Sequence, residues 1–354
     1  MESNIRRDFL DKKDLKSLTL DELKDLFKNI GEKSFRGKQA FSWIHHRMID
    51  SIDDITEFSK TLRDKLNYEY KITKLQIVKR FDSKIDETKK YLFLLEDGNI
   101  IESVMMKYKH GISVCISTQV GCKMGCSFCA STKGGFIRNL TPGEIVDQVY
   151  QIQKDLDVKV SNIVLMGSGE PLDNFDNVIK FLELIHCKNG QNLGYRHITL
   201  STCGIVPKIY ELANLKMPIT LSISLHSAYD SERKKIMPIA NKYTIKDILD
   251  ACNYYVSKTN RRITFEYTLI NAVNDSARHA NELAKLLSGI LCHVNLIPLN
   301  PIKEASFNTS KDVNVLRFKE ILESRNIKTT IRREMGRDIN AACGQLRRDY
   351  MNKS

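Results

Sequence analysis

Three cysteines stand close together in the segment GCKMGCSFCAS, residues 121–131. Cys122, Cys126 and Cys129 are separated by three and then two residues, with Phe128 just before the last. Structural zinc takes four protein ligands, so three thiolates in one loop leave one position open. Zinc with a distant His or Cys is one interpretation, and unrelated cysteines in a glycine-rich loop are another. An iron–sulfur cluster with one iron free for a small molecule fits the asymmetry better, because thiolates hold cluster irons.

Composition narrows the class of protein. With 354 residues, 42% of them apolar, the chain can bury one large core or several smaller ones. Because it lacks a signal peptide and any run of roughly 18 apolar residues, we expect neither secretion nor membrane insertion. Nine cysteines without an export signal are typical of reduced cytoplasmic thiols. The net charge of +12 favours a polyanionic partner, nucleic acid first, over a generic basic surface.

Helical periodicity dominates residues 1–75 and predicts a small accessory domain. TLDELKDLFKNIG combines a capping box of Thr19 and Glu22 with an apolar stripe and a terminating Gly31. KSFRGKQAFSWIHHR and SKTLRDKL complete the group. The polar residues near Trp43 form either a nucleic-acid face or a solvated face over a buried tryptophan: Arg36, Lys38, His45, His46 and Arg47.

The remaining chain is predicted to form an α/β structure. YLFLLEDGNIIESVMMKY has Asp97-Gly98 between two β-rich runs, which indicates a β-hairpin extension over residues 76–107. Residues 108–354 then alternate between helix-like stretches and strand-like runs, namely ISVCIS, NIVLMG, HITLST, ITLSISLH, RITFEYTLI, HVNLIPLN and KTTIRR. The pattern predicts about six βα units in an open partial barrel or doubly wound sheet, with a site at the strands' carboxyl ends.

The position of the cysteine motif after a strand, together with its spacing, resembles the radical S-adenosylmethionine superfamily. The resemblance implies a partial (βα)6 barrel and a 4Fe-4S cluster on Cys122, Cys126 and Cys129. It also implies that the free iron chelates S-adenosylmethionine, which an electron from the cluster cleaves to a 5′-deoxyadenosyl radical.

Further motifs extend the resemblance over nearly the whole chain. NIVLMGSGEPLDN, HITLSTCGIVP, SLHS with RKKIMPI, NLIPLNP and INAACGQL are similar to motifs of the adenine C2 methyltransferases of 23S ribosomal RNA, some of which also act on tRNA. KSFRGKQAFSWIHH is similar to their N-terminal domain. Taken alone, GSGEP is an ordinary strand-to-helix turn. The resemblance implies that the cofactor-binding residues are Gly169, Glu170, Ser201, Ser224, Leu225, His226 and Asn300. Ser168 departs from the usual methionine, which puts the packing near the cofactor in question.

Three further residues are implied to carry the methyl transfer. Cys343, approachable between Ala342 and Gly344, is implied to be methylated by one S-adenosylmethionine and activated by the radical from a second. The carbon of the activated methyl group then bonds to the C2 atom of adenine, which is itself a poor nucleophile. Cys115 is implied to release the product as a Cys115–Cys343 disulfide that cellular dithiols reduce. Glu102 is implied to accept the C2 proton, although its strand position also suits an ordinary exposed residue.

Partners and alternatives follow from the same resemblance. It implies 23S rRNA and, in some members, tRNA as substrates, and flavodoxin or ferredoxin as electron donor. We expect a cytoplasmic monomer that takes the target base out of its stack. KTNRR (residues 258–262) and the tail after residue 310, with eleven Lys/Arg against six acidic residues, are candidate RNA-binding patches. The alternatives are a C8 adenine methyltransferase of the same RNA and a non-catalytic, zinc-bearing RNA-binding protein.

Overall fold

The computed structural model describes residues 12–302 and 305–346. Its N-terminal unit consists, in chain order, of β1 (Lys13–Asp14), α1 (Leu20–Asn29), α2 (Ser34–His45), α3 (Lys60–Glu69) and β2 (Tyr70–Lys71). The predicted capping box is present, because the Thr19 side chain accepts from Glu22 N–H and the Glu22 carboxylate accepts from Thr19 N–H. Leu23 and Phe27 of α1 pack against Phe41 of α2 in the core of this unit.

The rest of the described chain is built on one sheet. Three antiparallel strands come first, β3 (Gln76–Asp82), β4 (Lys89–Leu94) and β5 (Ile100–Tyr108). The chain continues through β6 (Gly111–Cys115), β7 (Gln119–Gly121), β8 (Phe136–Asn139), α4 (Pro142–Leu156), β9 (Val160–Leu165), α5 (Phe175–His186), β10 (Ile198–Thr202), α6 (Val206–Asn214), β11 (Thr220–Ser224), α7 (Asp230–Ile236), α8 (Ile245–Thr259), β12 (Ile263–Leu269), α9 (Ala277–Leu286), β13 (Cys292–Pro298), α10 (Asp312–Ser324) and β14 (Thr329–Ile331).

The strand order is β14-β13-β12-β11-β10-β9-β6-β5-β4-β3, and β7 and β8 form a separate hairpin. From β6 through β9 to β14 each strand is parallel to the next, and these strands follow one another in sequence order, whereas β6 is antiparallel to β5. Repeated strand–helix–strand crossovers in one direction give this arrangement. The predicted partial barrel is therefore confirmed, with β14 at one edge and the antiparallel strands attached at the other.

The structure adds a strand that the sequence pattern did not indicate. β4 and β5 form the predicted hairpin around Asp97 and Gly98, and β3 pairs with the outer side of β4. β3 is an edge strand whose residues are mostly exposed, so QIVKRFD shows no clear apolar alternation.

Buried polar contacts fix the N-terminal unit to α4. Lys16 Nζ lies 2.6 Å from Asp147 Oδ1, and both side chains are fully buried. Asp147 Oδ2 also accepts from Leu75 N–H at 2.7 Å. His45 Nδ1 lies 2.9 Å from the Tyr150 hydroxyl. Within the described residues, no helix is both long and apolar enough to cross a bilayer.

Candidate active site

A cleft opens at the carboxyl ends of the parallel strands. Parallel strands bring these ends to one edge, which is why residues from distant motifs meet there. The predicted site residues that line the cleft are Cys122, Cys126, Cys129, Gly169, Glu170, Ser201, Ser224, His226, Asn300 and Cys343. Leu225, Cys115 and Glu102 are not part of the lining.

The cysteine loop, residues 122–135, connects β7 to β8 along one wall of the cleft. Gly121, just before it, has φ of +73°, and a Cβ there would lie 1.7 Å from the Gly135 carbonyl oxygen. Only glycine fits this close approach. Ser127 N–H donates to the Ile236 carbonyl at 3.0 Å, which ties the loop to the end of α7.

The three thiols of this loop have the chemistry of a cluster site. Burial raises the pKa of Cys122 to about 12, and it also raises the pKa of Cys126 and of Cys129. Thiolates here therefore need a bound cation. Among residues 12–302 and 305–346, no three His, Cys, Asp or Glu side chains are placed to hold a single metal ion. A 4Fe-4S cube takes one thiolate per corner, and three thiols in one loop match a cube whose fourth iron is left free.

Gly169 and Glu170 form the turn after β9. Gly169 has φ of +108°, and a Cβ there would lie 2.7 Å from the Gln119 side chain. Glu170 is buried, and its two carboxylate oxygens accept from Leu172 N–H at 3.0 Å and from Cys203 N–H at 2.7 Å. Burial raises the pKa of Glu170. Its carboxylate thus already holds the turn together while it lines the cleft.

Ser201 and Ser224 lie on neighbouring strands, and their hydroxyl oxygens are 3.4 Å apart. His226 follows β11 with φ of +56°, and its Nδ1 accepts from Thr268 N–H at 2.9 Å. Burial lowers the pKa of His226 to about 3, so the ring is neutral. With Nδ1 acting as acceptor, the proton is assigned to Nε2. His226 therefore supplies a neutral N–H donor among hydroxyl groups suited to a ribose or a carboxylate.

Three residues of the predicted cofactor region have surroundings that sequence alone did not indicate. The Leu225 side chain is fully buried in the main core, so only its backbone is placed between two residues that line the cleft. Asn300 Nδ2 donates to the Cys343 carbonyl at 3.1 Å and thereby holds the segment that carries Cys343. Ser168 is fixed through its backbone, whose N–H donates to Ser117 Oγ and whose carbonyl accepts from Thr118 N–H, both at 2.9 Å. Both bonds are made by the backbone of Ser168, so they do not depend on whether a serine or the family's usual methionine stands at this position.

The C-terminal loop, residues 335–346, carries Cys343 to the cysteine loop. The Gly344 carbonyl accepts from Ala130 N–H at 2.8 Å, and the Leu346 carbonyl accepts from Ser131 Oγ at 3.0 Å. Gly344 has φ of +81°, which favours glycine. These two hydrogen bonds, from Ala130 N–H and from Ser131 Oγ to carbonyls near the end of the loop, thus hold Cys343 in the same cleft as the three clustered thiols.

Cys115 and Glu102 lie behind the C-terminal loop, on the sheet. Cys115 ends β6, is 7% exposed, and pairs across the strands with Val104 of β5. Burial raises the pKa of Cys115 to about 12, and the nearby Cys343 sulfur adds to the shift. Glu102 is 1% exposed. The interpretation of Glu102 as an ordinary exposed strand residue is therefore wrong.

Sequence analysis missed two charged residues of the cleft, Arg332 and Glu266. Arg332 Nη1 lies 3.6 Å from Glu266 Oε2 and 3.2 Å from Met166 Sδ. Negative charge on the nearby Cys343 sulfur raises the pKa of Arg332. Arg332 lies within the predicted run KTTIRR, and the structure ends β14 at Ile331, so Arg332 directly follows the strand. Its position near the end of that run was the signal that could have identified it.

The predicted basic regions lie in different parts of the structure. Residues 258–262 precede β12 and so lie at the amino ends of the strands, opposite the cleft. In the N-terminal unit His45 is fully buried and belongs to no surface. Arg47 lies 3.7 Å from the ring of the half-buried Trp43. Part of the predicted basic tail, residues 347–354, lies outside the described residues.

Comparisons with known proteins agree with this geometry. Residues 116–284 match the Radical SAM superfamily, and residues 13–72 match the ribosomal RNA large subunit methyltransferase N-terminal domain. The probable dual-specificity RNA methyltransferase RlmN of Clostridium novyi is 57% identical over 97% of this chain and 100% of its own length. The protein of the same name from Clostridioides difficile is 58% identical over 95% of this chain and 98% of its own length.

A solved structure is similar over the same extent. The crystal structure of a radical SAM methyltransferase from Sphaerobacter thermophilus superposes with a TM-score of 0.91 at 42% identity, covering 95% of this chain and 100% of that one. Radical SAM proteins use a 4Fe-4S cluster and S-adenosylmethionine, and the cysteine loop fits the first of these. The chain therefore belongs to the dual-specificity RNA methyltransferase family of the radical SAM superfamily.

Proposed function

We propose that this chain transfers a methyl group to carbon 2 of an adenine in 23S ribosomal RNA, with transfer RNA as a second substrate. The observation that carries the proposal is the 2.8 Å bond between Ala130 N–H and the Gly344 carbonyl. It brings a loop with a separate thiol, Cys343, against the loop that bears the three clustered thiols. The relatives' name, dual-specificity RNA methyltransferase, and the matching ribosomal RNA methyltransferase domain support the same activity.

We propose that Cys122, Cys126 and Cys129 hold the cluster. When bound, the cluster supplies the electron that cleaves S-adenosylmethionine to give a carbon radical. Around the same cleft, Ser201, Ser224 and the Nε2–H of His226 offer polar groups for the ribose and carboxylate of that cosubstrate. Gly169 allows close approach of a ligand to the backbone.

Cys343 has the position needed for a methyl carrier. Its sulfur takes a methyl group from one S-adenosylmethionine by displacement. The S-methyl group then gives one hydrogen atom to the carbon radical formed from a second S-adenosylmethionine. The resulting carbon bonds to C2 of adenine, which ordinary displacement does not methylate. Two molecules of S-adenosylmethionine are thus used in each turnover, one as methyl donor and one as radical source.

We propose that Glu102 and Cys115 release the product. The C2–H bond breaks, its proton goes to the Glu102 carboxylate, and the unpaired electron of the adduct passes to a one-electron acceptor. Cys115 Sγ then attacks Cys343 Sγ and gives up its thiol proton as the S–S bond forms. The S–C bond breaks, its electron pair stays on carbon, and that carbon takes up a proton to become the methyl group. The resulting disulfide is reduced by a dithiol.

The remaining partners are also proposals. We propose a low-potential donor such as flavodoxin or ferredoxin, and a monomeric enzyme that acts in the cytoplasm. The odd number of cysteines, nine, supports a reducing compartment in which thiols stay unpaired.

Nucleoside analysis by mass spectrometry tests the activity. Reconstituted enzyme with S-adenosylmethionine, a reductant and either a 23S rRNA fragment or tRNA should yield 2-methyladenosine. Cys126→Ala should lose the bound iron and the product together, whereas Cys252→Ala, outside the cleft, should retain both. Formation of 8-methyladenosine would support the C8 alternative, and iron-loaded enzyme that gives no methyladenosine would contradict the proposal.

A further inference from the structure

A buried lysine stands beside Glu102. Lys90 of β4 is 3% exposed, and its Nζ lies 3.6 Å from Glu102 Oε1. Lys90 pairs across the strands with Val104, and Leu92 pairs with Glu102, so Lys90 and Glu102 are diagonal neighbours on one face of the sheet. Charged side chains are rarely this buried, because removing them from water is costly. Since Glu102 is the proposed proton acceptor, a buried cation beside it bears directly on the release of the product.

The C-terminal loop covers this same face of the sheet. Val104 and Cys115, which pair with each other, pack against Met335 and Leu346 of that loop. The next strand position along β5 on this face is Glu102, whose own carbonyl accepts from Ser117 Oγ at 2.7 Å. Glu102 and Cys115 thus share one wall behind the segment that carries Cys343.

Lys90 also contacts the loop itself. Its Nζ donates to the Asn340 carbonyl at 3.3 Å, three residues before Cys343. The Lys90 ammonium further lies 5.2 Å from the Phe81 ring of β3. One cation therefore joins the sheet extension, the buried carboxylate and the loop with the methyl-carrying thiol.

We propose that Lys90 is a positioning residue for release of the product: its ammonium keeps Glu102 ionised in the interior and holds the Cys343 loop against Glu102 and Cys115. This inference rests on the proposed function. In the step concerned, the C2–H bond of the adduct breaks, its electron pair stays in the purine ring, and the proton goes to a Glu102 carboxylate oxygen. A carboxylate deprived of this cation would favour its protonated form, which cannot accept a proton.

Lys90→Met tests the proposal in the reconstituted holoenzyme. We expect product formation to fall by at least about tenfold, because a general base contributes roughly 10²–10⁴-fold. Methylation of Cys343, measured as the mass of the peptide that contains it, should remain close to the wild-type level. RNA bound covalently to protein should accumulate, as a slow band on a denaturing gel that ribonuclease removes.

Two further variants separate this role from simple loss of structure. Lys90→Arg keeps the positive charge and should recover most of the product. Lys79→Met removes a lysine from the neighbouring strand β3, where the side chain is exposed and its Nζ lies 4.7 Å from the same Phe81 ring. Because Lys79 has no link to Glu102 in this arrangement, its variant should resemble wild type.

A double variant keeps the test decisive if Lys90→Met is unstable. In a Glu102→Gln background no carboxylate is left for Lys90 to act on and only its contact with the Asn340 carbonyl remains, so adding Lys90→Met should cost clearly less product and thermal stability than it does in the wild-type background. Independent, additive losses would overturn the inference. So would a Lys90→Met enzyme with wild-type product, or one in which Cys343 methylation falls in parallel with product and Lys90→Arg restores neither. Absence of methyladenosine from the wild-type enzyme would instead contradict the proposed function.

Discussion

Cys343 and Cys115 are both free thiols, but their surroundings differ. Cys343 lies on a loop that lines the cleft, whereas Cys115 is buried at the end of β6 behind that loop. A thiol that must meet a bulky methyl donor needs access, and a thiol that attacks only a neighbouring sulfur does not. The accessible position of Cys343 therefore suits a methyl carrier, and the buried position of Cys115 suits a thiol that attacks only its neighbour.

The two thiols should fail in opposite ways when replaced. Cys343→Ala should give neither methylated RNA nor a protein–RNA adduct, because no methyl group can be loaded. Cys115→Ala should load the methyl group and bond to adenine without releasing it, so adduct should accumulate while product falls by at least about tenfold. Denaturing gels with and without ribonuclease measure both outcomes. Cys187→Ala is the matched control, since this cysteine lies at the end of α5 beside the N-terminal core.

A different distribution of the adduct would count against the carrier mechanism. If the Cys343 variant still methylates RNA, another residue carries the methyl group. If neither variant forms the ribonuclease-sensitive band while wild type is active, the covalent intermediate is not formed through these thiols.

The cysteine loop is an element whose shape depends on glycine. Gly121 brings the end of β7 so close to Gly135 that a side chain has no room, and its backbone is left-handed. Gly98, in the turn between β4 and β5, is also left-handed with φ of +85°, but a Cβ there meets nothing within 4 Å. Substituting alanine at Gly98 therefore tests the cost of the left-handed backbone alone, whereas the same substitution at Gly121 tests that cost together with the steric clash.

Gly121→Ala should displace the cysteine loop, so we expect most of the bound iron to be lost. Gly98→Ala should cost only the strain of a left-handed backbone, about 1–2 kcal/mol, and keep its iron. Iron and sulfide content after anaerobic reconstitution, together with the free energy of unfolding, measures the difference. Equal iron content in the two variants would show that the loop tolerates a side chain at position 121.

At the scale of the whole molecule, the N-terminal unit is part of the folded core. The buried Lys16–Asp147 pair joins it to α4, and Tyr150 of the same helix contacts His45. Removing residues 1–75 would leave Asp147 without its lysine and without the Leu75 N–H. Such a deletion therefore disturbs α4 as well as any RNA contact, and single substitutions are better tests.

Lys16→Met should destabilise the entire chain by about 3–5 kcal/mol, because it leaves a buried carboxylate without its cation. Lys24→Met is the control, since the exposed Lys24–Asp21 pair on α1 should be worth about 0.3–0.5 kcal/mol or less. Urea unfolding of the purified protein measures both. A separate early transition confined to the N-terminal unit in the Lys16 variant would contradict the view that the unit and the core unfold together.

The sequence by itself determined the order of strands and helices, the capping box at Thr19, the cysteine motif and its family, because periodicity, caps and spacing are local. The motifs that contain Cys343 and Glu170 also predicted both as site residues, and in the structure both line the cleft. Only the tertiary structure decided that His45 is buried, that Asn300 holds the Cys343 carbonyl and that β3 joins the sheet.

The contacts of Lys90 show most clearly why these features could not be predicted from the sequence. Lys90 and the Asn340 carbonyl are 250 residues apart in sequence, and they meet because β4 is added to the sheet beside β5 and the C-terminal loop folds back over that face. A lysine in a strand-like run has no sequence pattern that distinguishes burial beside a carboxylate from exposure to water. Strand order and packing determine its surroundings, and these depend on the whole chain.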